Sequence, residues 1–192
     1  MSTLKVDTIL KRTGTGTITV GQSGDTISIP SGATLSVAGS TSGLPDNTPA
    51  FLVYADASQT VSSATNTLVT LDNESYDTDN AFSSNRFTVP SGEAGKYFFH
   101  GQIDCHANAV SENSISNAHI YKNGSGIIES VVDFRNNYGR RVSVNVSVVL
   151  DLAVGDYIEL YGNITDTSGS PTFYSTSGGF FTFLTGYKLI GV

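Results

Sequence analysis

Three side chains that could bind a metal ion lie in one short segment of the chain, four and two residues apart. His100, Asp104 and His106 lie within residues 98–106, a segment that reads as a β-strand. Because successive side chains of a strand point to opposite faces, these three groups share one face. Imidazole and carboxylate groups are suitable ligands for zinc and similar ions. The alternative, which we favour, is a polar surface facing solvent or a neighbouring subunit, so the sequence predicts no metal.

Motifs for catalysis are weak. Ser, Cys, His and carboxylate residues are present, but the Gly-x-Ser-x-Gly sequence that exposes a nucleophilic serine does not occur. No Gly-Lys-Ser/Thr sequence suggests a phosphate-binding loop. Carboxylates that could pair for glycoside hydrolysis are Glu112, Asp133, Asp151 and Asp156, the last of which is better explained by a tight turn. We therefore predict that the chain is not an enzyme and needs no cofactor.

Aromatic and basic residues in polar loops are candidates for contact with a receptor or a sugar. Tyr138, Arg140 and Tyr174 are the residues that we would assign to this contact, with further members at Arg135, Arg141, Tyr161 and Phe173. Aromatic faces and hydrogen-bonding groups together can hold a sugar. The alternative is that these residues pack at a seam between subunits.

The composition of the chain limits the kinds of partner that it could bind. The chain has 192 residues, of which 39% are hydrophobic and 14% are charged, and its formal net charge is −7. An acidic chain lacks the basic face that phosphate binding requires, so we expect no nucleic-acid partner. The sequence contains no run of about 18 apolar residues, so we do not predict insertion into a membrane. Cys105 is the only cysteine, which excludes an intrachain disulfide and is best read as a buried thiol.

The elements that must position these residues are strands. Between Val142 and Leu152, apolar residues alternate with Ser, Asn and Asp, which only a strand places on one face. Asn123-Gly124 between two strand-like runs predicts a hairpin. Further strands are expected at 51–55, 67–71, 86–89, 96–103, 127–134, 156–161 and 180–190. The sequence thus predicts an all-β fold, a two-sheet jelly roll, over residues 50–192.

The N-terminal part has a different organisation. Residues 22–37 contain an eight-residue unit written twice, x-Ser-Gly-x-Thr-apolar-Ser-apolar. Each unit offers only two apolar residues to bury, so we expect it to be stabilised by neighbouring units or chains. We predict an attachment arm over 1–44, with short strands and glycine turns, and a linker over 45–49. The apolar residues of the arm that would make contacts are Leu4, Val6, Ile27, Ile29, Leu35 and Val37.

One set of motifs resembles a known family. Asn73 and Tyr76 precede Phe87-Thr88-Val89-Pro90, Gly95-Lys96-Tyr97-Phe98-Phe99 follows, and Leu152-Ala153-Val154-Gly155-Asp156 and Phe183-Leu184-Thr185-Gly186 come later in the same order. This resembles the signature of the complement and tumour-necrosis-factor jelly-roll superfamily. The resemblance implies a homotrimer, with core and trimer contacts from Phe87, Tyr97, Phe99, Phe181 and Phe183.

The amino-acid sequence of the arm shows a second resemblance. Residues 2–9 (Ser-Thr-Leu-Lys-Val-Asp-Thr-Ile) and residues 23–35 of the repeat are similar to the N-terminal segments of tail-fibre and other virion proteins from phages of marine bacteria. Since no signal peptide is recognisable at residues 1–12, we expect a protein that is made in the host cytoplasm and exposed on the particle. This implies a trimeric short tail fibre, anchored to other virion proteins by its arm, whose jelly roll contacts a glycan or protein of the host surface. The alternative is a decoration or connector protein of the capsid or tail with no receptor role.

Overall fold

The fold is known from a computed structural model, which describes residue 17 and residues 19–36, 47–167 and 169–190. The chain divides into two units, Met1–Leu44 and Pro45–Val192. The described residues of the second unit form strands joined by turns and contain no helix. No helix suited by length and hydropathy to crossing a bilayer occurs in this part of the chain. The all-β prediction is confirmed.

The strands run in chain order as follows: β1 Ala50–Tyr54, β2 Gln59–Thr60, β3 Thr67–Leu68, β4 Asn73–Asp77, β5 Phe82–Ser83, β6 Arg86–Thr88, β7 Gly95–His106, β8 Asn113–Lys122, β9 Ser125–Asp133, β10 Arg141–Leu152, β11 Tyr157–Asp166, β12 Thr172–Phe173 and β13 Phe183–Lys188. Strand β10 alternates as the sequence predicts, and Asn123-Gly124 joins β8 to β9 with both residues at positive φ. The expected strand at 180–190 is shorter at both ends, and that at 156–161 extends to Asp166.

These strands make two antiparallel sheets. The first has the order β2-β12-β7-β13-β1-β4, and β10 pairs with the other side of β7. The second has the order β5-β6-β11-β8-β9, with β3 also paired to β11. Strand β9 therefore ends the second sheet and pairs only with β8 among the described strands. The two-sheet jelly roll expected from the sequence is confirmed.

Aromatic side chains from both sheets fill the core. Phe51 stacks on Phe87 with ring centroids 5.0 Å apart, and Phe87 lies 5.4 Å from Tyr97. All three are at most 1% exposed. Such close aromatic contact needs glycine opposite, since a Cβ atom on Gly186 would lie 2.6 Å from the Phe99 ring. Large rings from both sheets thus pack against one another, and Phe99 packs over a glycine of the neighbouring strand.

Within the first unit, the described residues form turns and no strands. The amide of Asp25 donates to the carbonyl of Gln22, and the amide of Ala33 donates to that of Pro30, each at 3.0 Å. Gly24 and Gly32 occupy the third position of these turns at φ 94° and 84°. Turns thus occur at two of the predicted glycines and no strand is formed at 27–29 within this single chain, and the arm with its short strands stays a prediction. Leu4, Val6 and Val37 lie outside the described residues.

Candidate functional site

The first candidate site is the outward face of the first sheet, where strand register assembles an apolar row. Ala50 of β1 pairs with Tyr187 of β13, Tyr187 with Phe98 of β7, and Phe98 with Val149 of β10. Because paired residues share a face, the row runs across four strands. Tyr187 is 37% exposed and Val149 is 53% exposed. We call this set the apolar row.

A shallow hydrophobic hollow lies on the same face. Leu52, Phe180, Phe183 and Thr185 line a cavity of about 270 Å³. Phe180 is 48% exposed and packs on Tyr54, with ring centroids 4.5 Å apart. An exposed face on which several aromatic rings are grouped is typical of a surface that another protein covers.

A second exposed apolar surface is the free edge formed by β9. Ile127, Ile128 and Val131 are 47%, 36% and 52% exposed. An edge strand of this length with unpaired backbone groups and apolar side chains is a template for contact with another chain. The edge lies on a different part of the jelly roll from the apolar row, so the two surfaces could meet only between different copies.

The third candidate is a cluster of charged and aromatic groups at the end of β7. The Asp104 carboxylate is 1% exposed and accepts hydrogen bonds from Arg141, from Nε at 3.0 and 3.1 Å and from Nη2 at 2.5 Å. The guanidinium carbon lies 5.0 Å from the Tyr174 ring and 5.4 Å from the Phe181 ring. Register explains the pair, because Arg141 is opposite His106 at the start of β10 and its long side chain reaches back along β7.

His106 completes this cluster. Its ring stacks on Tyr174 at 4.2 Å with an interplanar angle of 9°, and its Nε2 lies 3.3 Å from the Asp104 carboxylate. Burial lowers the pKa of His106, and the neighbouring guanidinium groups of Arg141 and Arg140 lower it further, against an opposing effect of Asp104. The cluster is therefore held by one ion pair, between Asp104 and Arg141.

The residues that the sequence offered as metal ligands are separated by their partners. Asp104 is occupied by Arg141, and His100 turns to Ser147, with Nδ1 and Oγ 2.8 Å apart. The described residues contain no group of three His, Cys, Asp or Glu side chains that could hold a metal ion. His100, Asp104 and His106 do share the outward side of β7, as alternation requires, but the ligand set does not converge.

The other residues assigned from the sequence fall in different places. Phe87, Tyr97 and Phe99 are buried in the core, while Phe181 and Phe183 are half-buried at the surface. Cys105 is buried, and burial raises the pKa of its thiol to about 12.

The receptor-contact role of Tyr138, Arg140 and Tyr174 stays a prediction, and the structure gives the position of each. Tyr174 belongs to the cluster around Asp104, whereas Tyr138 is 40% exposed in the loop before β10. Arg140 is exposed and contributes its backbone carbonyl to the amide of Ala107.

Two features of the structure are not among those predicted from the sequence. The partner of Asp104 lies 37 residues away, and only the register of β7 with β10 brings it close. The second feature is the outward side of β11, where Tyr157, Glu159, Tyr161 and Asn163 alternate with apolar residues. That alternation is legible in the sequence and would have identified an aromatic and polar face on the second sheet.

Comparisons with known proteins identify the fold. No protein-family model matches the sequence, and no curated protein is similar to it. The structure is similar to the globular domain of zebrafish complement 1qA, with a TM-score of 0.52 and 14% identity over 73% of this chain and 97% of that one. It is also similar to murine APRIL, with a TM-score of 0.53 and 14% identity over 73% of this chain and 98% of that one. The fold is therefore the jelly roll of complement C1q and tumour-necrosis-factor proteins.

Proposed function

We propose that this chain is a homotrimeric virion appendage, a short fibre attached by its N-terminal arm, whose jelly roll contacts the host cell. The observation that carries the proposal is the pair of exposed apolar surfaces on one jelly roll, the apolar row with its hollow and the β9 edge. Two different surfaces that fit each other make a head-to-tail contact, which closes into a ring when the rotation allows. The resemblance to the complement and tumour-necrosis-factor superfamily implies a ring of three.

The arm supports the attachment role. Its repeated unit leaves apolar side chains at the surface, with Ile27 62%, Ile29 48% and Leu35 64% exposed. An isolated arm of this kind gains little from burial within its own chain, so contacts with another protein must stabilise it. The amino-acid sequence of the arm is similar to virion proteins of marine phages, which supports another protein of a virus particle as that partner.

The assembly is tested by the mass of the purified full chain in light scattering. We expect three times the 20.2 kDa mass of the chain. Phe183→Glu in the hollow and Val131→Glu on the edge should each give monomers, because each places a charge in the proposed contact. Val154→Glu is the matched control, since Val154 is 51% exposed in the turn before β11 and belongs to neither surface. A monomeric wild-type protein, or equal dissociation by the control, contradicts the proposed trimer.

The attachment role needs a separate test on particles. An arm variant with Ile27→Asp and Ile29→Asp should fail to join the virion while the trimer mass is unchanged. Fluorescent wild-type protein should bind host cells and compete with phage adsorption. If it binds no cells, and particles without it lose integrity yet still adsorb, the protein is instead a decoration or connector component.

A further inference from the structure

The outward face of the second sheet carries an unusual set of side chains. Register places Tyr121 opposite Glu159 and Tyr161 opposite His119 on neighbouring strands β8 and β11. Tyr157 precedes them on the same side of β11. We call Tyr121, Tyr157 and Tyr161 the tyrosine strip. It lies on the outward face of the second sheet, whose edge strand β9 also takes part in the proposed subunit contact, so a ligand would bind beside that contact.

The strip is held rigid by neighbouring amides. Tyr121 and Tyr161 stack with ring centroids 4.1 Å apart and an interplanar angle of 25°. The Nδ2 group of Asn66 donates to the Tyr121 hydroxyl at 3.2 Å, and the Nδ2 group of Asn163 donates to Asn66 at 3.0 Å. A fixed aromatic platform loses little conformational entropy when a ligand is placed on it.

Hydrogen-bonding groups surround this platform. Arg86 pairs with Glu159 at 2.9 Å, and its guanidinium carbon lies 4.4 Å above the Tyr157 ring. On the other side, the Glu129 carboxylate is 43% exposed, and Nε2 of His119 lies 3.6 Å from it. A cavity of about 300 Å³ is bordered by these two side chains and by residues 126–128.

Several polar side-chain atoms of this face make no hydrogen bond within the described part of the chain. Among the described residues, the buried side-chain atoms without a hydrogen bond are Nε of Arg86, Oδ1 of Asn117, Nε2 of His119 and Nε2 of His106. Three of these four atoms belong to this one face. Buried polar groups are nearly always hydrogen-bonded, so such a concentration indicates a surface that is completed by polar contacts from outside the chain.

These features fit a carbohydrate. A pyranose ring has an apolar C–H face, which packs on an aromatic ring, and a rim of hydroxyl groups that both donate and accept. Tyrosine rings beside Asn, Glu and His groups offer both kinds of contact at a concave site. Arg86 and Glu159 cancel in charge, which leaves Glu129 to repel acidic sugars. We propose that the tyrosine strip, with Glu129 and His119, binds neutral pyranose-containing oligosaccharides.

This inference rests on the proposed function, because it assigns the host contact to one surface. The probe is an array of immobilised bacterial oligosaccharides, neutral and acidic, to which fluorescently labelled full chain is applied. Calorimetric titration with the best ligand then gives the dissociation constant. We expect binding to neutral members, and Tyr161→Ala should weaken it by about tenfold or more, as for truncation of a central contact residue.

Two further variants separate binding from folding. Glu129→Gln changes an exposed carboxylate without loss of shape, so its fold is retained, and it should weaken binding by about tenfold through the lost charged acceptor. Tyr76→Ala is the matched control, since Tyr76 is a 47% exposed tyrosine of the first sheet. It should bind within about twofold of wild type.

The outcomes are distinct from those of the assembly test. Binding to no array member, or equal losses in Tyr161→Ala and Tyr76→Ala, overturns the site, as does a preference for acidic glycans. A trimer that binds no glycan contradicts this inference and leaves the proposed assembly intact. A monomer that binds neutral glycans through Tyr161 supports the site and contradicts the assembly.

Discussion

Replacement of Arg141 by methionine should destabilise the jelly roll strongly, because it leaves a buried carboxylate without its counter-ion. The Asp104 side chain is 1% exposed, and Arg141 is the residue that holds it with charged hydrogen bonds. Methionine keeps most of the apolar stem but loses the contacts that the guanidinium makes with the Tyr174 and Phe181 rings. The substitution therefore removes the charge, the fork of donors and this ring stacking together.

The magnitude follows from the burial of each partner. Removal of one member of a fully buried ion pair costs about 3–5 kcal/mol. The Arg141 side chain is 47% exposed, so water already screens part of the attraction, and we reduce the expected cost to about 2–3 kcal/mol. For a unit of this size, a change of 1 kcal/mol shifts the midpoint of thermal unfolding by about 2–4 °C, which gives a decrease of roughly 4–12 °C.

The assay is urea unfolding and calorimetry at one protein concentration, so that any assembly contributes equally. Arg141→Lys should fall between wild type and methionine, because lysine keeps the charge and loses the fork and the ring stacking. Arg135→Met is the matched control, since Arg135 pairs with Asp133 at an exposed site and its loss should leave the midpoint unchanged.

A double variant tests the cause directly. Asp104→Leu combined with Arg141→Met removes both charges and should be more stable than Arg141→Met alone. The reasoning is refuted if the single variant costs less than about 1 kcal/mol, or if the double variant recovers nothing.

Three further outcomes are expected. Because the pKa of His106 is lowered in the folded chain, the unfolded chain binds a proton first as pH falls. The free energy of unfolding should therefore decrease below the usual histidine pKa of about 6.5. His106→Gln should flatten this pH dependence in unfolding experiments across about pH 5–8. Gly186→Ala should cost about 1–3 kcal/mol in urea unfolding because its Cβ would lie 2.6 Å from Phe99, whereas Gly126→Ala, with 3.5 Å to the nearest atom, should be tolerated. Cys105 should resist iodoacetamide in the folded protein at pH 8 and react after unfolding, since burial raises its pKa to about 12; rapid labelling of the folded form would contradict its burial.

The strands could be predicted because their signal is local. In β10, Val144 and Val146 point into the core while Ser143 and Asn145 face out, and this alternation is printed in the sequence. The Asn123-Gly124 hairpin is equally local, since both residues adopt the positive φ that such a turn requires. Strand ends are not fixed by local sequence, because pairing partners decide where a strand stops.

The chemistry of the candidate sites could not be predicted in the same way. Asp104 looked like a metal ligand beside two histidines, but its charge is taken by Arg141, which comes from a different strand. The apolar row likewise draws one residue from each of four strands, and none of the four segments shows it alone. Cross-strand register depends on residues that are far apart in the sequence. The groups of side chains that it brings together can therefore be identified only once the sheet order is known.

In the described residues of the arm, the sequence repeat becomes a structural one without forming a sheet. Gly24 and Gly32 hold equivalent turns, each closed by the same backbone hydrogen bond, so Ile27 and Leu35 take the same position after their turns. With Ile27 and Ile29 exposed, burial of these pairs has to come from other chains. Two equally spaced pairs bind an equally spaced partner with a combined affinity well above that of one pair, because the second contact is intramolecular once the first has formed. On the proposed function, three arms multiply this effect, which explains how weak eight-residue units can hold a fibre on a particle.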